Sequence, residues 1–234
     1  MNLDKKLKKI AVALNGKFPH AEEMSRLARE IHKEIFDNGD DIISNPDKIL
    51  SQWILLEYEL FCAIEEEKYG KKIRRGFKDM QEFLDTANSV MNRRKVRAGK
   101  SLECHLAAIF EGNGLPFERE VVTEGNKKPD FIFPGSSAYH NPNYDSDKLI
   151  VLAAKTTCKD RWRQILNEAD RVRKKKKYLF TLQQNISSKQ LSEMHAENVV
   201  LIVPKNYIEN YPPEFRDEIL SLSKFINFVK ETLK

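Results

Sequence analysis

The spacing of apolar residues changes at Gly112-Asn113-Gly114, and that change restricts the fold more than any composition figure. Before Gly112-Asn113-Gly114 they recur at steps of three and four, most clearly at Ile49, Trp53, Leu56, Leu60 and Ile64. That period predicts amphipathic helices. Beyond it come short runs: Phe117 to Thr123, Asp130 to Phe133, Lys148 to Ala154, Tyr178 to Leu182 and Val199 to Val203. The first two read as strands; Lys148 to Ala154 is an uninterrupted apolar run, the mark of a strand buried on both faces, and the last two read as short buried strands. Helical stretches follow at Arg161 to Lys174, near Ser187 to Ala196, and at Pro212 to Leu233. The order is helices, then β-β-β-α-β-α-β-α. It predicts an α/β protein, a mixed β-sheet flanked by helices, with a helical N-terminal portion.

Within the helical portion, Asn45-Pro46 offers an N-cap and a proline at the first helical position. Gly70 is the expected end of that helix. Asp79 to Met91 and Ser101 to Phe110 read as two further helices, the second stopped by Gly112-Asn113-Gly114. Residues 136–147, rich in Ser, Asn, Asp, Pro and Tyr, read as a loop. The 234 residues suffice for one domain with its own core. We expect a single domain over 1–234, with 1–45 a helical extension to a catalytic portion at 46–234.

Charged residues make up 32% and hydrophobic ones 41%, which excludes a disordered chain. No apolar run approaches the ~20 residues of a membrane span. The basic N-terminus is followed by too short an apolar stretch for a signal peptide, so a cytoplasmic location is expected. Cys62, Cys104 and Cys158 show no metal-like pairing, and the five histidines no ligand spacing. The net charge of +5 permits nucleic-acid binding without showing it. Local clusters say more. Arg93-Arg94-Lys95 with Arg97 and Lys100 form one, and Arg171 to Lys177 another, which reads as a solvated helix end.

The chemistry concentrates in two stretches. Pro129-Asp130 heads one short run, and Lys155 closes the run Val151-Leu152-Ala153-Ala154. If the two strands pair, both side chains can meet at one end of the sheet. Metal-dependent phosphodiester hydrolysis needs carboxylates for Mg²⁺ and a group to orient or activate water. Asp130 and Lys155 are of those types. The usual nuclease pattern has an acid two residues before the lysine, where this chain has Ala153. Glu168, thirteen residues after Lys155, is the best replacement, with Asp130 and Glu168 as the metal ligands. Glu103 is a plausible outer carboxylate. A Pro-Asp turn and a surface lysine are the ordinary alternatives.

Lys159-Asp160-Arg161 follows directly. Arg and Lys suit guanine O6 and N7 in the major groove, and a carboxylate accepts from cytosine N4. The triplet could read adjacent G·C pairs, or be a surface salt-bridge cluster.

These stretches together resemble the catalytic domain of the EcoRII-type restriction endonucleases, of the PD-(D/E)xK superfamily. The resemblance runs from about Pro46 to the C-terminus. It is carried by Asn92-Arg93-Arg94-Lys95, Arg97 to Glu103, Thr123 to Phe131, Ala138-Tyr139-His140 and, most specifically, Lys155 through Asp170. It implies a restriction-endonuclease-like core, Mg²⁺ dependence, and cleavage of double-stranded DNA by a homodimer. It further implies a CCWGG-like site cut before the first C, and neither a membrane nor a small-molecule substrate. Carried over by position, Asp130, Lys155 and Glu168 are catalytic and Glu103 an additional acid. Lys159, Asp160 and Arg161 then read bases. Arg94, Arg97, Lys100 and Tyr139 are further candidates for DNA contact. Family members extrude the central bases onto a planar side chain, and Trp53 lies near the matching place. Some members carry a large N-terminal effector domain; this chain resembles the single-domain ones. A repair or junction nuclease of the same fold is the alternative enzyme, and a non-catalytic sequence-specific DNA-binding module the alternative from another class.

Overall fold

The computed structural model describes residues 3–36, 41–167, 169–172 and 174–234, with the side chains of Asp160 and Asp170 not among them. Two compact units emerge: Met1–Asp40 with Ser51–His105, and Asp41–Leu50 with Leu106–Lys234. We call them the helical unit and the sheet unit.

Helices α1 (Leu3–Ala13), α2 (Ala21–Ile35), α3 (Pro46–Arg75) and α4 (Met80–Gly112) make up the N-terminal half. The period-3.6 residues of the helical unit meet in one cluster holding Leu7, Met24, Ile31, Leu56, Leu60 and Ile64. Gly70 does not end α3. A glycine inside a helix costs only about 1 kcal/mol, and the Glu66–Arg74 pair at 2.5 Å passes where a Cβ on Gly70 would stand. The stop is Gly76, whose φ of 89° no other residue adopts cheaply. The two helices expected within 79–110 are one. Arg, Lys and Ala between them are good helix formers, and they carry α4 past Gly99. Its end is as expected: Gly114 has φ 69°, and the Leu115 N–H donates to the Phe110 carbonyl, a Schellman closure.

Among the described residues the sheet unit holds six strands in sequential order: β1 (Glu118–Arg119), β2 (Phe131–Phe133), β3 (Ile150–Lys155), β4 (Lys177–Thr181), β5 (Val199–Val203) and β6 (Leu220–Ser221). The first two pairings are antiparallel and the last three parallel, so the sheet is mixed as expected. Alternation sorts the side chains. Phe131 and Phe133 stand opposite Leu152 and Ile150, on the face where Phe110, Phe117 and Phe225 pack edge-on or tilted at 5.3–5.9 Å. Ile132, Val151 and Ala153 face the other way.

Helix α5 (Ser136–His140) interrupts the expected loop, α6 (Ser188–Ala196) joins β4 to β5, and α7 (Leu222–Thr232) closes the chain. The closing helix is shorter than the sequence suggested. Pro212 and Pro213 allow only a 3-10 turn, Leu220 pairs with β5, and the helix starts after Ser221, whose hydroxyl accepts from the Lys224 N–H. Buried Asp47 accepts from the N–H groups of Leu222 and Ser223 at 2.9 and 3.0 Å, completing that helix start. The expected strand at 117–123 shrinks to two residues, broken by Glu120 at φ 52°. The expected helix at 161–174 is instead a pair of 3-10 segments, Lys159–Asn167 and Asp170–Val172. Trp162 and Ile165, three residues apart, both enter the cluster around Ala153, a spacing that suits a 3-10 turn.

Candidate active site

Asp130 lies immediately before β2, and Lys155 is the last residue of β3. The antiparallel register sets Phe131 against Leu152, which brings Asp130 level with the end of β3. Its Oδ2 accepts from the Lys155 ammonium at 2.8 Å and from the Ala154 N–H at 2.7 Å. Both side chains are mostly covered, with 13% of Asp130 and 19% of Lys155 exposed. By alternation Lys155 shares a face with Val151 and Ala153. Ala153 is 1% exposed, in a cluster with Trp162 and Ile165. Glu168 lies outside the described residues. On either side of it, Ile165 joins the cluster of Ala153, and Ala169 and Val172 join that of Val151 and Ile132.

Lys159 and Arg161 are exposed, bracketing Asp160. The segment is anchored beneath them by Trp162, which is 2% exposed and carries the Arg163 guanidinium over its ring at 4.7 Å. Sequence reasoning missed Gln183, two residues past β4, whose Oε1 accepts from the Cys158 N–H at 2.8 Å. The available signal was its place: a polar residue just beyond the carboxyl end of a parallel strand, where such sheets hold ligands.

The other expected residues have partners of their own. Tyr139 is 2% exposed, and its hydroxyl donates to Glu124 at 2.6 Å. Arg171 donates to the carbonyls of Ala138, Tyr139 and Tyr144, and Lys177 is buried, so these two residues are not on a solvated helix end as expected, while Lys174 and Lys176 are exposed. In the helical unit, Arg94 clasps Glu65 through Nε at 3.0 Å and through Nη2. Lys100 pairs with Glu103 at 2.9 Å. Arg97 donates to the Pro19 carbonyl at 2.8 Å and to Glu57 at 3.3 Å. Trp53 is 8% exposed, with the His105 ring at 5.6 Å and the Arg29 guanidinium at 5.7 Å.

Buried Glu57 also accepts from Ser25 at 2.6 Å and has His105 Nε2 at 2.9 Å, the latter poorly aligned for a hydrogen bond. Burial alone would raise the Glu57 pKa. The His105 imidazole, the Ser25 hydroxyl and the Arg97 charge outweigh it, and the carboxyl titrates below its ordinary value. Burial pushes His105 below the ordinary histidine value, against the pull of Glu57.

The chain matches the family model described as EcoRII C terminal over residues 61–226. It is 48% identical over 203 residues to the type II restriction enzyme EcoRII of Escherichia coli, covering 82% of this chain and 50% of that protein. To the type II restriction enzyme SsoII of Shigella sonnei it is 27% identical over 128 residues, covering 51% and 41%. It thus spans about half the length, or less, of the curated relatives it matches. Metal-depleted Ecl18kI in complex with uncleaved, modified DNA superposes with a TM-score of 0.76 at 18% identity, covering 98% of this chain and 84% of that one. The restriction endonuclease PspGI–substrate DNA complex gives 0.72 at 18%, covering 92% and 93%. At such identity the likeness is one of fold: the mixed sheet and helices are those of restriction endonucleases.

Proposed function

We propose, from the premise that this chain belongs to the EcoRII C-terminal family, that it is a type II restriction endonuclease. Its target would be a CCWGG-like site in double-stranded DNA, cut before the first C, with Mg²⁺ as cofactor and a homodimer as the acting form. The observation that carries the proposal is the Asp130–Lys155 pair at 2.8 Å, at the meeting of two strand ends.

The donor set fits Mg²⁺, which takes oxygen ligands and needs only one or two carboxylates beside phosphate and water. Asp130 supplies one, with its contacts to Lys155 and Ala154 both on Oδ2. Glu168 would supply the second. The placing of Ile165 and Ala169 on the face that carries Ala153 supports that role. When bound, Mg²⁺ neutralises charge on the scissile phosphate and lowers the pKa of a coordinated water. The Lys155 ammonium, aimed by Asp130, would orient the attacking water and face the charge that builds on the phosphorus oxygens. Glu103 would act as an outer acid.

Lys159, Asp160 and Arg161 would read the G·C pairs. A phosphate approaching Arg94, Arg97 or Lys100 would have to compete with Glu65, Glu57 or Glu103 for them. Trp53 and Tyr139 are covered in the free chain, so an extruded base would reach either ring only after its present neighbours moved. The test is incubation with plasmid DNA and Mg²⁺, followed by sequencing of the ends. Discrete ends at one short palindrome support the proposal; intact plasmid, or ends scattered over all sequences, would reject it.

A further inference from the structure

We propose that Gln183 is a positioning residue for base recognition. Its side-chain amide fixes the entry to Lys159-Asp160-Arg161, and so sets discrimination between DNA sequences rather than general affinity. The proposal rests on the reading of that triplet given above.

One oxygen, Gln183 Oε1, accepts from two successive backbone donors, the N–H of Cys158 at 2.8 Å and that of Lys159 at 3.4 Å. Two N–H groups fix which end of the amide faces the segment, since only the oxygen can accept. The amide is itself held. Its Nε2 donates to the Asn185 carbonyl at 2.8 Å. The Gln183 N–H donates to Thr181 Oγ1 at 3.2 Å, and the Tyr211 hydroxyl donates to the Gln183 carbonyl. Tyr211 is 1% exposed, so this mount is anchored in the core.

The residue being held needs holding. Lys159 has φ 34°, a left-handed conformation that a lysine adopts at a cost. Side-chain amides grip it on both sides: Gln183 takes its N–H, and the Gln190 amide of α6 donates to its carbonyl. The Arg161 N–H then donates to the Cys158 carbonyl at 2.8 Å, and Trp162 seals the turn. Backbone on either side of the triplet is thus fixed, while Lys159 and Arg161 reach solvent. Bidentate base contacts demand placement within about 0.5 Å. Asp130 and Lys155 bond to each other without Gln183.

Gln183→Met keeps the length and removes the acceptor; Gln183→Glu keeps an acceptor oxygen. Dissociation constants and Mg²⁺-dependent cutting rates are measured on a CCAGG duplex and on duplexes with one outer C·G pair replaced. Gln183→Met should lose about tenfold of the preference for CCAGG, as expected for one misplaced bidentate contact, with unchanged salt dependence. Gln183→Glu should stay within about threefold of wild type. Gln190→Leu, on the surface helix, should give a smaller loss and carries the test if Gln183→Met does not fold. Wild-type preference in the Met variant, an equal loss on every duplex, or an equal loss in Met and Glu variants overturns the proposal. Arg161→Ala is run beside them. If it keeps full preference, the reading of the triplet has failed. If it loses preference while Gln183→Met does not, only the role of Gln183 has failed.

Discussion

In the helical unit, the 3%-exposed Glu57 is ringed by Ser25, Arg97 and His105; in the sheet unit, Asp130 stands at a strand head beside Lys155, with 13% of its side chain still exposed. Both are carboxylates facing cations, yet their surroundings ask different things of them. Glu57 is enclosed by several partners, an arrangement whose desolvation cost is offset only while every partner stays. Asp130 has one lysine and one backbone donor on one oxygen, which suits the metal-ligand role proposed for it. The basic residues divide in the same way. Arg94, Arg97 and Lys100 are matched to acids of their own unit, whereas Lys159 and Arg161 project from a turn pinned by a buried tryptophan. Basic clusters that look alike in a sequence are told apart by what lies beneath them.

Substitutions can break that contrast, and the largest effect falls on the strand-end pair. Asp130→Ala and Lys155→Ala should each reduce Mg²⁺-dependent cutting by at least ~10²-fold, the scale of removing one preorganised charge-stabilising group. Circular dichroism checks that each variant is folded, since Asp130→Ala leaves the mostly covered Lys155 ammonium without its carboxylate. A variant that keeps more than a few per cent of activity would remove Asp130 from the site. Glu168→Ala should be nearly as severe, with Glu103→Ala milder; the reverse order in cutting assays would mean the replacement acid is Glu103.

The enclosed network should answer in stability instead. Trp53→Ala removes a buried ring and should lower unfolding free energy by about 3–5 kcal/mol. Arg97→Ala should cost about 3 kcal/mol by leaving Glu57 short of a partner. Denaturant melts read both, and wild-type midpoints would show that the network is not structural. Arg161→Ala is the counterpart in the sheet unit. It should leave stability within ~0.5 kcal/mol of wild type and cost about 1–3 kcal/mol of discrimination at one G·C position in binding assays.

The smallest effect is one of pH. His105 and Glu57 both titrate below their ordinary values of 6.5 and 4.5, so the unfolded chain binds protons more readily than the folded one. Their contribution is therefore fully present above pH 6.5 and is lost as the pH falls, through His105 first and then Glu57. The melting temperature should drop between pH 7 and 5, and His105→Gln should flatten that part of the curve. A midpoint that rises on acidification would contradict the assignment.

Much of this is legible in the sequence. The runs Lys148 to Ala154, Tyr178 to Leu182 and Val199 to Val203 mark three buried strands, because a short apolar stretch has few other ways to hide both faces, whereas Phe117 to Thr123 keeps only a two-residue strand and Leu220–Ser221 has no such run to announce it. Pro129-Asp130 and the end of the Val151–Lys155 run were marked as a pair by their chemistry. Helix boundaries were less legible: a glycine such as Gly70 can be carried through by its neighbours, and a helical period at 161–174 does not separate α from 3-10 winding. Gln183 had no motif to announce it, since one glutamine looks like another until its oxygen meets two backbone N–H groups.

The sequence by itself determined where the main apolar helix stripe and the buried central strands lie and which chemistry is present, because apolar spacing and side-chain type are local properties. Only the tertiary structure decided that Arg97 serves Glu57 and Pro19, that Tyr139 serves Glu124, and that Gln183 grips Lys159. Those are hydrogen bonds between residues 15 to 78 positions apart. Their formation depends on distances and angles that no local pattern encodes.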